Sequence, residues 1–199
     1  MLLSYQKTLS MIQNYGIRIP RQIIGNEKTI LEKYSEVGFP CVLKICKPIH
    51  KTDVGGVITH IYDEDDLRNA LQKLSRLDNR FILQEMVRGF EFIIGGKKDV
   101  QFGHIVIFGI GGIFTEIYRD ITARVAPIKR KDAEQMITEI KGKKLLEGFR
   151  GVLVNKKELI DTLVKVSEMI VKEDISELDI NPYILNQEHG YAVDIRVVK

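Results

Sequence analysis

Residues 177–199 read ELDINPYILNQEHGYAVDIRVVK. Two runs of alternating apolar and polar residues flank a polar segment that ends in glycine, the pattern of a hairpin. In the first run Leu178 and Ile180 take one face, Asp179 and Asn181 the other. In the second, Val193, Ile195 and Val197 take one face, Asp194 and Arg196 the other. A turn over Asn186–Gly190 joins the polar sets into one face of a ribbon and brings Asn181 nearly opposite Asp194. Two hard oxygen ligands beside an arginine suit Mg²⁺ carried in with a nucleotide. A cross-strand polar pair on a solvated face has the same spacing.

Working back from this ribbon, helix and strand signals alternate. Tyr5, Leu9 and Ile12 recur at helical spacing and Gly16 stops that helix. Asn26 caps a helix that ends at Gly38, and FPCVLKIC (39–46) reads as a buried strand. GVITHIY is the next strand, Asp63 caps the helix after it, and RFILQEMV is a third strand. The second half reads as strand, turn, strand and glycine loop over FEFIIGGKKDVQFGHIVIFGIGG, then the strand TARVAPI. Asp132 is the expected cap of a helix ending at Gly142, and a longer helix is expected over about 156–172. The fold class is α+β: two lobes, about 17–84 and 85–199, with a ligand cleft expected between them.

The chain has 199 residues and a formal charge of +3, with scattered lysines, which argues against nucleic acid as a partner. No apolar run reaches the roughly 20 residues of a membrane helix, and no signal-peptide pattern opens the chain. Cys41 and Cys46, five apart in one strand, read as unpaired thiols of a reducing cytoplasm.

Several residues can carry chemistry. Lys44 lies in an apolar strand, where an ammonium needs an anion, although a lysine at a strand end can also extend to water. In PIHKTDVGG (48–56), Gly55 and Gly56 can cradle phosphate oxygens or simply turn a hairpin. His50 is a competent phosphoryl acceptor in a segment where many histidines are only exposed. Glu85, with the backbone of Met86 and Val87, can hold an adenine and ribose, and Glu91 follows six residues on; edge-strand polarity looks the same. Gly109, Gly111 and Gly112 lack the spacing of a dinucleotide loop. Arg124, alternating with Ile121, Ala123 and Val125, is expected on the non-core face of its strand, where it can reach phosphate.

Together GFPCVLKI, HKTDVGGV, QFGHIVIFGIGGIFTEIYRDITARVAPI and ELDINPYI…AVDIR resemble the ATP-grasp subunit of ADP-forming acetyl-CoA synthetases, from about Leu9 to the end. The resemblance implies two lobes clasping ATP or ADP with Mg²⁺. It implies Lys44 on the nucleotide phosphates, Gly55 and Gly56 as the phosphate cradle, and Glu85 with Met86 and Val87 at the adenine hinge. It further implies His50 as a transiently phosphorylated carrier, Arg124 near the phosphates, and Asn181, Asp194 and Asp179 at the metal. The implied reaction is acyl-CoA + ADP + phosphate ⇌ acid + ATP + CoA, run with a CoA-binding α subunit that bears a phosphorylatable histidine. Another ATP-grasp acid–thiol or carboxylate–amine ligase, or a non-catalytic nucleotide-binding partner, is the alternative.

Overall fold

The computed structural model describes residues 1–47, 54–112 and 120–199. It forms two compact units, Pro20–Val87 and Met1–Ile19 with Arg88–Lys199.

The smaller unit is an antiparallel four-stranded sheet in the order β1-β4-β2-β3, with β1 Gln22–Gly25, β2 Cys41–Ile45, β3 Val57–Ile61 and β4 Phe81–Glu85. Helices α2 (Glu27–Lys33) and α3 (Glu64–Leu74) are started by Asn26 and Asp63, whose side chains accept the N–H groups of Thr29 and Asp66. Ile30 of α2 and Leu67, Leu71 and Leu74 of α3 bury against Ile23, Leu43, Ile45, Phe81 and Leu83 of the sheet. Burial of such side chains stabilises by about 1.5–3 kcal/mol each before chain entropy is counted. Since facing residues of an antiparallel pair point the same way, the opposite sheet face carries Gln22, Val42, Lys44, Ile82 and Gln84.

In the larger unit β5 (Phe90–Asp99), β6 (Gly103–Ile110), β7 (Ile121–Val125), β8 (Glu177–Leu185), β9 (Gly190–Ala192) and β10 (Ile195–Val198) make one antiparallel sheet. Its order is β10-β8-β5-β6-β7, with β9 beside β8. Phe92, Ile94, Val106, Phe108, Leu178, Ile180 and Tyr183 face the core. There Leu159, Leu163, Val166 and Ile170 of α5 (Lys156–Lys172) and Ala133, Met136 and Ile137 of α4 (Arg130–Glu139) cover them. Helix α1 (Tyr5–Asn14) adds Ile12 to the same core and ends at Gly16, whose φ of 64° no side chain adopts cheaply. The chain ends pair with each other: Leu3 N–H donates to the Val197 carbonyl at 2.9 Å and Lys199 N–H to the Met1 carbonyl at 3.0 Å.

Three local expectations change. The C-terminal strand splits at Val193–Asp194 into β9 and β10. Asp132 is not the cap of α4 but its third residue, where it accepts the Lys129 N–H at 2.8 Å; the helix begins two residues earlier, at Arg130. In β7 the faces are reversed. Ile121, Ala123 and Val125 are exposed, while Thr122 and Arg124 point to the helix-covered side. Helix α4 supplies the reason: Glu139 accepts from Thr122 Oγ1 at 2.8 Å and pairs with Arg124 at 2.5 Å, so the polar set is the one with partners there.

Candidate functional site

Lys44 is 6 % exposed on the face of the small sheet away from its core. Its Nζ donates to Gln84 Oε1 at 2.7 Å, and Gln84 Nε2 donates to Gln22 Oε1 at 3.0 Å. The lysine therefore does not extend to water. One residue on, Glu85 closes β4. Its carboxylate accepts from Arg21 Nε at 2.6 Å and from the Arg21 N–H at 3.0 Å. The Met86 N–H donates to the Pro40 carbonyl at 3.1 Å, which fixes the backbone path into Val87. Gly55 (φ 66°) and Gly56 lead into β3, and the Gly56 carbonyl accepts from Ile45 N–H at 2.9 Å. His50 lies outside the described residues.

The ribbon quoted at the outset forms as its alternation requires. Ile180 faces Ile195, Asp179 faces Arg196, and the Asn181 N–H donates to the Asp194 carbonyl at 3.0 Å. On its other side β8 pairs with β5 through a bulge. Phe92 faces Tyr183 but Ile94 faces Ile180, so β8 uses three residues where β5 uses two, and the extra one falls at Asn181–Pro182. A bulge re-aims side chains at the point where it occurs. Asn181 is exposed there, while Asp179 and Asp194 are half-buried, on the sheet face that the helices leave open. Asp194 Oδ1 also accepts the Ile195 N–H at 3.1 Å, which steadies the carboxylate.

Among the described residues, no group of three or more His, Cys, Asp and Glu is gathered to hold a metal. The donors present are two carboxylates and an amide, all oxygen. They fit Mg²⁺, which is commonly bound by one or two carboxylates plus the phosphates of its nucleotide.

On the same open face, Glu91 reaches towards the glycine loop. A Cβ on Gly112 (φ 69°) would stand 2.8 Å from Glu91 Oε2, and one on Gly111 would meet the Phe92 backbone at 2.8–2.9 Å. At Gly111, whose N–H donates to the Glu91 carbonyl at 2.8 Å, the chain thus lies against β5 at a distance only glycine allows. Arg124 belongs elsewhere: it faces Val106 across the β6–β7 ladder on the helix-covered side, not the side of Asp179 and Asn181. Its guanidinium bonds Glu139, Thr122 Oγ1 and the Ala123 carbonyl.

Sequence reasoning missed Gln22 and Gln84 as a pair. The cross-strand register Gln22–Gln84 is a tertiary fact, yet two glutamines in apolar strands were a usable signal. It also missed Asp78, whose Oδ2 accepts the N–H groups of Cys46 (3.1 Å) and Lys47 (3.0 Å) where the chain leaves β2.

Two antiparallel α+β units, a buried lysine in one and an oxygen-rich strand pair in the other are the parts of an ATP-grasp protein, and the ATP-grasp domain family model matches residues 1–198. The chain belongs to that family. It is a homologue of ADP-forming acetate–CoA ligases. The subunit beta of acetate–CoA ligase [ADP-forming] I from Pyrococcus furiosus is 37 % identical over 203 residues, covering 94 % of this chain and 88 % of the relative. Acetate–CoA ligase [ADP-forming] II of Archaeoglobus fulgidus is 35 % identical and matches the whole chain, which spans only 30 % of that longer protein. Among solved structures, the acetyl-coenzyme A synthetase 1 of Ca. Korarchaeum cryptofilum superposes with a TM-score of 0.86 at 38 % identity, covering 99 % of this chain and 92 % of the other. That structure is a complex with coenzyme A and Mg-AMPPCP, its phosphohistidine segment pointing towards the nucleotide site. D-alanine–D-alanine ligase of Bacillus anthracis, 13 % identical with a TM-score of 0.54, shares the fold alone. No helix among the described residues is long and apolar enough to cross a membrane.

Proposed function

We propose that this chain is the nucleotide-binding β component of an ADP-forming acyl-CoA synthetase. It binds Mg-ATP or Mg-ADP and acts with a separate CoA-binding α subunit to run acyl-CoA + ADP + phosphate ⇌ acid + ATP + CoA. The observation that carries this reading is the Asn181–Asp194 pair, in register beside a bulge on an open sheet face. It occurs in a chain that matches the Pyrococcus beta subunit almost end to end.

Each residue has a part. The Lys44 ammonium offers a point charge to phosphate oxygens. Asn181, Asp194 and Asp179 supply the oxygen ligands of Mg²⁺, which when bound spreads the negative charge of the phosphoryl group being moved. Glu85 and the Met86–Val87 backbone form the adenine and ribose hinge, with Arg21 holding the Glu85 carboxylate still. Gly55 and Gly56 shape a close approach for phosphate, and Glu91, six residues after Glu85, is a further nucleotide-binding residue. His50 takes the phosphoryl group from a phosphohistidine of the α subunit: its imidazole nitrogen forms the new P–N bond as the old one breaks. A terminal oxygen of ADP then displaces His50 from phosphorus, giving ATP and a neutral imidazole. Arg124, bound to Glu139 on the covered face, is left out of this scheme.

The chain mixed with its α subunit, acetyl-CoA and ³²P-phosphate is expected to take up an acid-labile label that is absent from His50→Ala. Calorimetry is expected to detect Mg-ADP binding that weakens at least tenfold in Asp194→Asn. A chain that binds neither Mg-ADP nor Mg-ATP would overturn the proposal.

A further inference from the structure

We infer that Gln84 is a positioning residue for Lys44, with Gln22 as its support, so that an amide relay across three strands aims the phosphate-binding ammonium. The inference rests on the proposed role of Lys44.

Three features carry it. The first is place. β1, β4 and β2 are consecutive in the sheet, Gln22 and Gln84 face each other across the β1–β4 ladder, and Gln84 lies diagonal to Lys44 across the β4–β2 ladder. All three side chains leave the face away from the core. The second is burial: Gln84 is 1 % exposed and Lys44 6 %. A buried ammonium and a buried amide each demand partners, and in a sheet interior a flexible four-carbon stem has few places to put its charge. The third is direction. Gln84 uses its amide at both ends, accepting from Lys44 Nζ at 2.7 Å and donating to Gln22 Oε1 at 3.0 Å. The Lys44 ammonium can only donate, so the Gln84 amide has one orientation, oxygen towards the ammonium and NH₂ turned to the Gln22 oxygen.

The chemistry of the holder matters as much as its position. An amide oxygen fixes an ammonium without itself adding negative charge. A carboxylate of the same reach would fix the ammonium and oppose an arriving anion. A glutamine therefore suits a lysine whose task is to meet phosphate.

The test uses the full-length chain with Mg-ATP by calorimetry and adenosine by ligand-observed NMR. Lys44→Ala is the reference and is expected to weaken Mg-ATP at least tenfold. Gln84→Leu and Gln84→Glu are expected to weaken Mg-ATP by tenfold or more while adenosine binding stays within twofold, with the Glu variant the weaker of the two. Gln22→Leu, which leaves the Lys44–Gln84 bond in place, is expected to cost roughly threefold and serves if Gln84→Leu does not fold. An equal loss of Mg-ATP and adenosine in the Gln84 variants would mean a merely structural residue and overturn the inference. So would wild-type Mg-ATP affinity in Gln84→Leu or Gln84→Glu while Lys44→Ala is impaired. If Lys44→Ala itself binds Mg-ATP as wild type does, the reading of Lys44 falls, and the inference with it.

Discussion

Gly111 lies so close against β5 that a single added methyl group would press on the Phe92 backbone at 2.8–2.9 Å. Backbone cannot rotate aside as a side chain can, so Gly111→Ala is expected to cost about 3 kcal/mol. Gly103, the first residue of β6, has φ 74° but open space around it. There Ala pays only for the left-handed backbone, about 1 kcal/mol. Thermal unfolding is the check, with Gly111→Ala lowering the midpoint by roughly 6–12 °C and Gly103→Ala by roughly 2–4 °C. At this scale the sequence was partly readable. That three glycines in IFGIGG formed a loop unlike a dinucleotide loop was legible, but which of them touches backbone was not. Arg124 was misread because alternation reports which residues share a face, not which face is covered. Ile121, Ala123 and Val125 do share one, and it is the exposed one.

Among the elements, the segment after α4 depends on one carboxylate. Asp120, 9 % exposed, accepts the N–H groups of Lys141 and Gly142, each at 2.7 Å, at the start of a 3₁₀ turn over Lys141–Glu147. Asp120→Ala would strand two donors, a loss of about 2–3 kcal/mol. The expected result is a midpoint lower by roughly 4–12 °C, with faster amide exchange at Lys141 and Gly142 measured by NMR. No periodicity announced this turn, because its order comes from a side chain more than twenty positions earlier in the chain. Helices α2 and α3 were legible because local signals, a cap and an apolar stripe, decide them, and α5 from its apolar stripe alone. The pairing of Asn181 with Asp194 was legible for a related reason: only a short turn separates the strands, so counting residues sets the register. The amide relay from Gln22 to Lys44 spans distant strands and was not.

Over the whole molecule, acid should loosen the fold through carboxylates that are engaged when folded. Arg124 and then Thr122 hydrogen-bond Glu139 and hold it below the usual carboxylate range. Lys98 does the same for Asp174, and Lys199 for Glu173. A carboxyl group that is more acidic folded than unfolded contributes stability above its unfolded pKa and loses it as pH falls through the folded value. Unfolding midpoints measured between pH 7 and pH 3 are thus expected to hold steady and then fall below about pH 4.5. Glu139→Gln should flatten that fall, and a midpoint independent of pH would contradict the assignment. Sequence order hid another property at this scale: α1, first in the chain, belongs to the unit built from residues 88–199.

The hydrogen bonds between Met1–Leu3 and Val197–Lys199 tie the polypeptide into a near-ring. Its two ends emerge side by side at the β10 edge, so a tag, a linker or a fused domain departs from the same spot whichever end carries it. Circular rearrangement of the gene, with the old ends joined and new ones opened at the exposed Val100–Phe102 turn, would leave that address vacant without cutting a strand.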